Sequence, residues 1–267
     1  MSITIGSVPY LNEKPLTRWF NHTDEGKASG VEVIYAVPSE LASMLARGEI
    51  AAALVSSFEY LRTPGYKIVP GVSISGHDEI LSVRAFSRIP WRVTQSLALD
   101  TSSLTSSALL KILLADQFDS HPAFINHAPD LDAMLAVAEA CLLIGDPGML
   151  ADGDGLITLD LGEGWRRLTG HPFVYACWIG RSDDLTPDLV RTLQHAKEWG
   201  LTQIDSIAEE EAKRLGCPVR LCRRYLTEIM DYDLGDEELA GLTEFARRAH
   251  SHQLIPSVPE IQVASRR

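Results

Sequence analysis

Short runs of aliphatic and β-branched residues recur through the first two thirds of the chain, and each run predicts a β-strand. The predicted strands cover residues 3–8, 31–36, 51–55, 80–85, 97–100, 141–144 and 173–179. Between them, apolar positions spaced three and four apart predict amphipathic helices, including one over Pro38–Arg47 and one over 105–114. Strands that alternate with helices in this way are typical of right-handed βαβ units and mostly parallel sheets.

The pattern changes after about residue 185, where the strand-like runs stop. Helical spacing continues over 187–200, 204–216, 219–230 and 237–249. Two segments are candidate crossovers between lobes: the proline-broken stretch 88–92 and the long run 173–180. We therefore predict lobe 1 from residues 1–90 plus 178–267 and lobe 2 from residues 91–177. This is the two-lobed α/β layout of type II periplasmic binding proteins, with a ligand cleft between the lobes and the helical C-terminal segment packed on lobe 1.

Composition and charge narrow the function classes. The chain has 267 residues, of which 45% are hydrophobic and 22% charged, as in ordinary globular proteins. The formal net charge of −12 argues against a nucleic-acid partner or an anionic membrane surface. A small anion is still a possible ligand, because helix N-termini, backbone N–H groups and hydroxyls can bind it without basic side chains.

The sequence also predicts the cellular compartment of the protein. No run of 18 apolar residues predicts a membrane helix, and the N-terminus lacks the basic region and long apolar core of a signal peptide. The cysteines show no C-x-x-C spacing, which predicts free thiols in the cytoplasm. They are Cys141, Cys177, Cys217 and Cys222. No metal-binding, nucleotide or flavin motif is present, so we expect no cofactor and no metal.

The segment VPYLNEKPL at residues 8–16 is the first candidate site. A strand here passes into a helix through Tyr10 and Asn12, and Pro15 suits the first helical turn. Ligands of open α/β sheets bind at the carboxyl ends of the strands. Two interpretations of Asn12 follow: it contacts a ligand, or it only caps the helix, which is a common role of asparagine.

Hydroxyl-rich helix starts form the second group of candidates. Ser56 and Ser57 follow the strand 51–55, and residues 101–106 hold five hydroxyl side chains in six positions. Five hydroxyls are more than helix capping needs, and a cradle of hydroxyls and N–H groups suits a carboxylate. Ser103, Thr105 and Ser106 are therefore candidate anion ligands, with capping as the alternative.

The remaining candidates lie further along the chain. Gly145 and Asp146 end the buried-type strand 141–144, where glycine permits close backbone approach and aspartate can cap the next turn. The aromatic residues Trp165, Phe173 and Tyr175 are candidates for either the core or a ligand platform.

Taken together and in order, these motifs over residues 3–180 resemble the chorismate dehydratases of menaquinone biosynthesis, whose N-terminal signature is YLN, two residues, then PL. The related naphthoate synthase of the same pathway begins with a Ser-Pro-Cys-Pro-Asn-Asp type of sequence and fits less well. The resemblance implies a cofactor-independent hydro-lyase. It would convert chorismate, a small dianion, to 3-(1-carboxyvinyloxy)benzoate on the futalosine route. A cytoplasmic small-anion binding protein of the same fold is the alternative, and the sequence leaves the oligomeric state open.

The resemblance also implies roles for particular residues. Asn12 and Ser82 are the implied catalytic residues, Asn12 as an amide that binds the departing hydroxyl or a carboxylate. The implied substrate-binding residues are Tyr10, Ser56, Ser57, Ser103, Thr105, Ser106, Gly145 and Asp146. The family has a Gly-Pro-Val-x-Ser pattern before Ser82, whereas this chain has Asp78-Glu79 in place of Gly-Pro. The proton acceptor is therefore either a substrate carboxylate or one of these two acids. His171 stands where an aliphatic residue is expected, and its role stays open.

Overall fold

The protein is described from a computed structural model that covers residues 2–100 and 104–265. The strands are β1 (Ile3–Ser7), β2 (Val31–Tyr35), β3 (Ala52–Ser56), β4 (Tyr66–Gly76), β5 (Val83–Ser87), β6 (Ser96–Asp100), β7 (Ala123–His127), β8 (Ala140–Ile144), β9 (Ile157–Asp160) and β10 (Phe173–Arg181). The helices are α1 (Lys14–His22), α2 (Asp24–Ala28), α3 (Pro38–Arg47), α4 (Ser57–Arg62), α5 (Thr105–Phe118), α6 (Leu131–Val137), α7 (Gly145–Leu150), α8 (Leu161–Thr169), α9 (Pro187–Leu201), α10 (Ile204–Leu215), α11 (Val219–Arg224) and α12 (Asp236–Ser251). Short 3₁₀ turns cover Leu11–Glu13 and Trp91–Val93, and a π-helical turn, Tyr225–Ile229, continues α11.

Two five-stranded sheets form the framework. The first has the strand order β2-β1-β3-β10-β4, and the second has the order β7-β6-β8-β5-β9. In each sheet three strands are parallel, and a strand arriving from the other side of the molecule pairs antiparallel with them: β10 with β3, and β5 with β8. The chain therefore crosses twice between two α/β lobes, which confirms the predicted fold class.

The sheet membership moves both crossings away from their expected positions. Residues 83–87, expected in lobe 1, pair as β5 in the second sheet, and residues 173–177, expected in lobe 2, pair as part of β10 in the first sheet. The expected crossover at Pro90 is instead the start of the 3₁₀ turn within the second half. A proline breaks a strand for local reasons, so it does not mark a change of lobe. The division of the chain into two independent lobes stays a prediction.

Three strands were absent from the sequence prediction. The strand β4 contains Pro70 and Gly71, which weaken a strand pattern but are tolerated at the edge of a sheet. The strand β7 is also an edge strand and is largely exposed, so it lacks a continuous apolar run. The strand β9 has only four residues. All three lie at the edge of their sheet, and none of them has the uninterrupted apolar run from which a strand is predicted.

The C-terminal helical segment packs on the first half of the molecule, as predicted, with α9 and α12 directly against the first sheet. The helix α9 contacts α1 and β4, and α12 contacts β10 and also α5 of the second half. Phe245 of α12 packs edge-on against Phe173 at 4.8 Å between ring centroids and against Trp165 at 6.0 Å. Trp165 and Phe173 are therefore core residues. Among the described helices, none is long and apolar enough to cross a membrane.

Candidate active site

A cavity of about 90 Å³ lies between the two sheets. Its walls include the segment after β1, the strand β3, the end of β4 with the turn that follows it, the end of β8, the strand β10 and the start of α5. Most lining side chains are apolar, and none of the described lining residues is charged. A ligand in this cavity would therefore be bound by amide, hydroxyl and backbone groups.

Seven of the ten site residues predicted from the sequence line this cavity. They are Tyr10, Asn12, Ser56, Ser82, Thr105, Ser106 and Gly145. Ser57 does not line it, because its side chain is fully buried and donates to the carbonyl of Val174 at 2.6 Å. Asp146 lies behind the wall, where it ties elements together. Ser103 falls outside the described residues.

Asn12 sits in the 3₁₀ turn between β1 and α1. Its Nδ2 donates to the hydroxyl of Tyr225 at 3.2 Å, while its Oδ1 is buried without a hydrogen-bond partner among the described residues. Neither the 3₁₀ turn nor α1 has a side-chain cap at its start. The capping alternative for Asn12 is therefore wrong, since its amide bonds to a residue far away in the sequence.

Ser82 follows a tight turn that Asp160 holds in place. The carboxylate of Asp160 accepts from the N–H groups of Ile80 at 3.0 Å and Leu81 at 2.9 Å, and it also caps α8. Leu81 has φ of 59°, a left-handed conformation that is costly for a residue with a side chain. Burial raises the pKa of Asp160, although its four backbone N–H donors oppose that shift. This clamp fixes the backbone from which Ser82 enters the cavity wall.

Tyr225 bonds to two of the candidate site residues, and the sequence prediction missed it. Its hydroxyl donates to Ser82 Oγ at 2.8 Å and accepts from Asn12, so one phenol joins the two candidate catalytic side chains. Tyr225 is only 2% exposed, and burial raises the pKa of its hydroxyl. A tyrosine on the apolar face of a predicted helix looks like a core residue, and no local pattern distinguishes it from one.

The hydroxyl of Thr105 links the two halves of the molecule at the start of α5. It donates to the carbonyl of Tyr175 at 3.1 Å, accepts from the N–H of Phe58 at 3.3 Å, and bonds to the hydroxyl of Ser56. Its single proton is therefore already used within the protein. Ser106, beside it in the first turn, lines the cavity and is 4% exposed.

Gly145 and Asp146 lie at the start of α7. Gly145 has φ of 60°, and a Cβ at this position would be 2.9 Å from the ring of Tyr10. Only glycine therefore allows the Tyr10 ring to pack against this turn. The carboxylate of Asp146 accepts from the N–H of Leu11 at 3.0 Å and pairs with Arg214 at 2.7 Å, which ties the second sheet to the N-terminal turn and to α10.

The structure places the two alternative bases away from the cavity. Asp78 and Glu79 are exposed and line a separate surface pocket, where Glu79 pairs with Arg224 at 3.1 Å. Among the aromatic candidates, Tyr175 lines the cavity. His171 is not one of the lining residues, and its N–H donates to Thr169 Oγ1 at 3.1 Å.

One group of side chains has the composition of a metal site. His77, Asp231 and Glu238 bring three possible ligand atoms within 4.8 Å of one another. His77 Nε2 contacts Asp231 at 2.8 Å, and Glu238 also accepts the N–H of Gly235 at 2.8 Å as part of a helix cap. Glu238 thus has a structural partner already, and the group lies outside the cavity lining, so it offers no ligand to a substrate there.

The sequence matches a protein family and a known enzyme over most of its length. A model of the family described as menaquinone biosynthesis matches residues 3–251. The chain is 31% identical over 261 residues to the chorismate dehydratase of Thermus thermophilus, covering 91% of this chain and 93% of that protein.

Solved structures share the fold at lower identity. A protein from Archaeoglobus fulgidus superposes with a TM-score of 0.77 at 17% identity, covering 95% of this chain and 98% of that one. The periplasmic aliphatic sulphonate binding protein of Escherichia coli superposes with a TM-score of 0.67 at 14% identity, covering 100% of this chain and 94% of that one. These likenesses confirm the fold alone. The family match over nearly the whole length shows more than the fold, and the chain therefore belongs to the menaquinone biosynthesis family, as its motifs predicted.

Proposed function

We propose that the protein is a hydro-lyase that dehydrates chorismate to 3-(1-carboxyvinyloxy)benzoate in menaquinone biosynthesis. The observation that carries this proposal is the 31% identity to a chorismate dehydratase over almost the full length of both proteins. The cavity supports it, because Asn12 and Ser82 meet there around one tyrosine although they come from distant parts of the chain.

The reaction needs little from the protein beyond positioning. A proton leaves ring carbon C3 of chorismate, the C–H electron pair forms the new ring double bond, and hydroxide leaves from C4. The proton and the hydroxide together make the water that is released, and the ring becomes aromatic, which provides the driving force. Binding and polarisation in a fixed geometry can then supply most of the rate enhancement.

We propose that the enolpyruvyl carboxylate of the substrate accepts the proton. The described cavity wall carries no carboxylate or histidine, so no protein base stands at the substrate there. A carboxylate beside a dianionic substrate would also be repelled, which disfavours Asp78 and Glu79 as bases on physical grounds. Asn12 and Ser82 then serve the departing hydroxyl through hydrogen bonds.

We place the substrate carboxylates near the start of α5. Ser106 and the positive end of the helix dipole attract an anion there, Ser56 lies beside them through its bond to Thr105, and Tyr10 also lines the cavity. Thr105 holds the wall together instead of donating to the ligand, because its proton already goes to Tyr175. The proposal has three further parts. The substrate is a small dianion, the reaction needs no cofactor, and the protein is cytoplasmic.

The test is direct. Purified protein is incubated with chorismate, and the ultraviolet spectrum is followed for loss of the diene and gain of a benzoate. We expect turnover that survives dialysis against a chelator. Tight binding of chorismate without turnover would favour the small-anion binding protein instead. Loss of turnover on chelation, with recovery on adding a divalent ion, would refute the cofactor-independent mechanism.

A further inference from the structure

The hydroxyl of Tyr225 accepts one hydrogen bond and donates another. The amide Nδ2 of Asn12 can only donate, so the Tyr225 oxygen accepts from it at 3.2 Å. The hydroxyl proton of Tyr225 then goes to Ser82 Oγ at 2.8 Å. Ser82 is therefore an acceptor on this side, and its own hydroxyl proton has no acceptor among the described residues.

Two of these three hydrogen-bonded side chains line the cavity, and the third lies behind them. Asn12 and Ser82 both line the cavity, whereas Tyr225 lies behind them and is not among the lining residues. The unused hydroxyl proton of Ser82 is thus the end of this series of hydrogen bonds that is available to a ligand in the cavity, whereas Oδ1 of Asn12 is buried. Hydrogen bonds in series also polarise one another, which makes the terminal hydroxyl a better donor.

The backbone around Tyr225 supports a role beyond packing. The residue begins the π-helical turn Tyr225–Ile229, at the end of α11. Such turns are rare in proteins. Where they do occur, they are often found at functional sites. Tyr225 is 2% exposed, so the phenol is held on all sides and its hydroxyl has few alternative positions.

We propose that Tyr225 is a positioning residue for the dehydration: its hydroxyl accepts from Asn12 and donates to Ser82, and so directs the hydroxyl proton of Ser82 toward the departing hydroxyl of the substrate. This inference rests on the proposed function. Tyr225 itself does not touch the substrate, and it acts through the two side chains that do.

Tyr225→Phe tests the proposal because it removes only the hydroxyl. We expect kcat on chorismate to fall about 10-fold or more, with KM within about 2-fold, since the lost interaction matters most when charge develops on the departing oxygen. Ser82→Ala alone should cost about 10²–10³ in kcat. In the double variant the loss should be far smaller than the product of the two single losses, because both changes remove the same donor.

Tyr232→Phe is the matched control. Tyr232 is 4% exposed and its hydroxyl is buried without a hydrogen-bond partner among the described residues. Removing that hydroxyl should leave kcat unchanged. An equal loss of kcat in Tyr232→Phe, or single losses at Ser82 and Tyr225 that multiply in the double variant, would overturn the proposal.

A second measurement does not depend on turnover. Crystal structures of the wild type and Tyr225→Phe should show that the Asn12 and Ser82 side chains lose their common orientation in the variant. Wild-type protein that fails to convert chorismate would refute the proposed function, while this comparison would still test the positioning. Unchanged Asn12 and Ser82 side chains would overturn the positioning role even if the wild type is an active dehydratase.

Discussion

At the scale of single residues, two neighbours on one turn have opposite environments. Asn12 lines the cavity, whereas the side chain of Glu13 is fully buried behind it. Glu13 bonds to Thr17 at 2.5 Å and to Lys14 at 2.9 Å. One turn of the chain thus supplies both a polar side chain in the cavity wall and a buried carboxyl group that bonds to α1.

Asn12→Ala should reduce activity far more than stability. Its amide bonds to Tyr225 and caps no helix, so we expect kcat to fall by about 10²–10³, with a small change in Tm. Steady-state kinetics on chorismate and thermal unfolding measure the two effects. Asn126→Ala on the exposed edge strand β7 is the control and should change neither. Retained kcat with a loss of about 1 kcal/mol of stability would contradict the catalytic role.

Glu13 predicts a pH dependence of stability. Burial raises the pKa of Glu13 from 4.5 to about 7, and hydrogen bonds and the charge of Lys14 only partly oppose this. Because the folded pKa lies above the unfolded one, the folded state binds more protons between these pH values, and the free energy of unfolding falls as pH rises through that range. The loss is on the order of 1 kcal/mol for each unit of the pKa difference.

Denaturant unfolding of the wild type and Glu13→Gln at pH 5 and pH 8 measures this effect. The glutamine variant keeps the shape and cannot ionise. We therefore expect the wild type to lose stability relative to the variant between the two pH values. Parallel stabilities at both values would show that Glu13 does not titrate in this range.

At the scale of elements, the candidate site residues lie at the ends of strands and helices. The short helix α7 begins with Gly145 in a left-handed conformation, directly against the ring of Tyr10. The turn before Ser82 likewise depends on one residue at the start of α8, since Asp160 accepts its N–H groups. The site is therefore shaped by backbone conformation at element ends as much as by side chains.

Gly145→Ala tests this dependence, with Gly155→Ala as its control. Both glycines have positive φ, 60° and 74°, but a Cβ at Gly155 meets no atom within 4 Å. Both variants should lose about 1 kcal/mol of stability from the backbone conformation. Only Gly145→Ala should displace Tyr10 and lower kcat/KM. Equal kcat/KM in the two variants would show that the contact with Tyr10 does not matter to the site.

At the scale of the whole molecule, a few polar contacts hold the two sheets around the cavity. Thr105 bonds to groups from β3, α4 and β10, and Asp146 bonds to Leu11 and Arg214. These contacts join segments that are far apart in the chain, and so they connect the two sheets beside the cavity.

Asp146→Ala should weaken this connection. It leaves the N–H of Leu11 without its acceptor and removes a partner of Arg214, so we expect a loss of about 1–3 kcal/mol in unfolding and a higher KM for chorismate. Asp205→Ala removes an exposed pair with Arg223 and should cost at most about 1 kcal/mol with unchanged KM. Similar effects of the two substitutions would show that Asp146 is only another surface ion pair.

The sequence by itself determined the features that depend on neighbouring residues. The alternation of strands and helices, the helical C-terminal region and the candidate residues near strand ends, such as Asn12, Ser56 and Gly145, all follow from local periodicity and local turn chemistry. The sequence also carried the family resemblance, which the comparisons confirm.

Only the tertiary structure decided which surfaces meet. The place of β4 at the edge of its sheet allows it to be a strand despite Pro70, and strand pairing sets where the chain crosses between the sheets. Tyr225 lies 213 residues from Asn12 and 143 from Ser82, so no local pattern relates the three. Their meeting depends on how the C-terminal segment packs across both halves, because a hydrogen bond forms only where the folded chain brings donor and acceptor within about 3 Å.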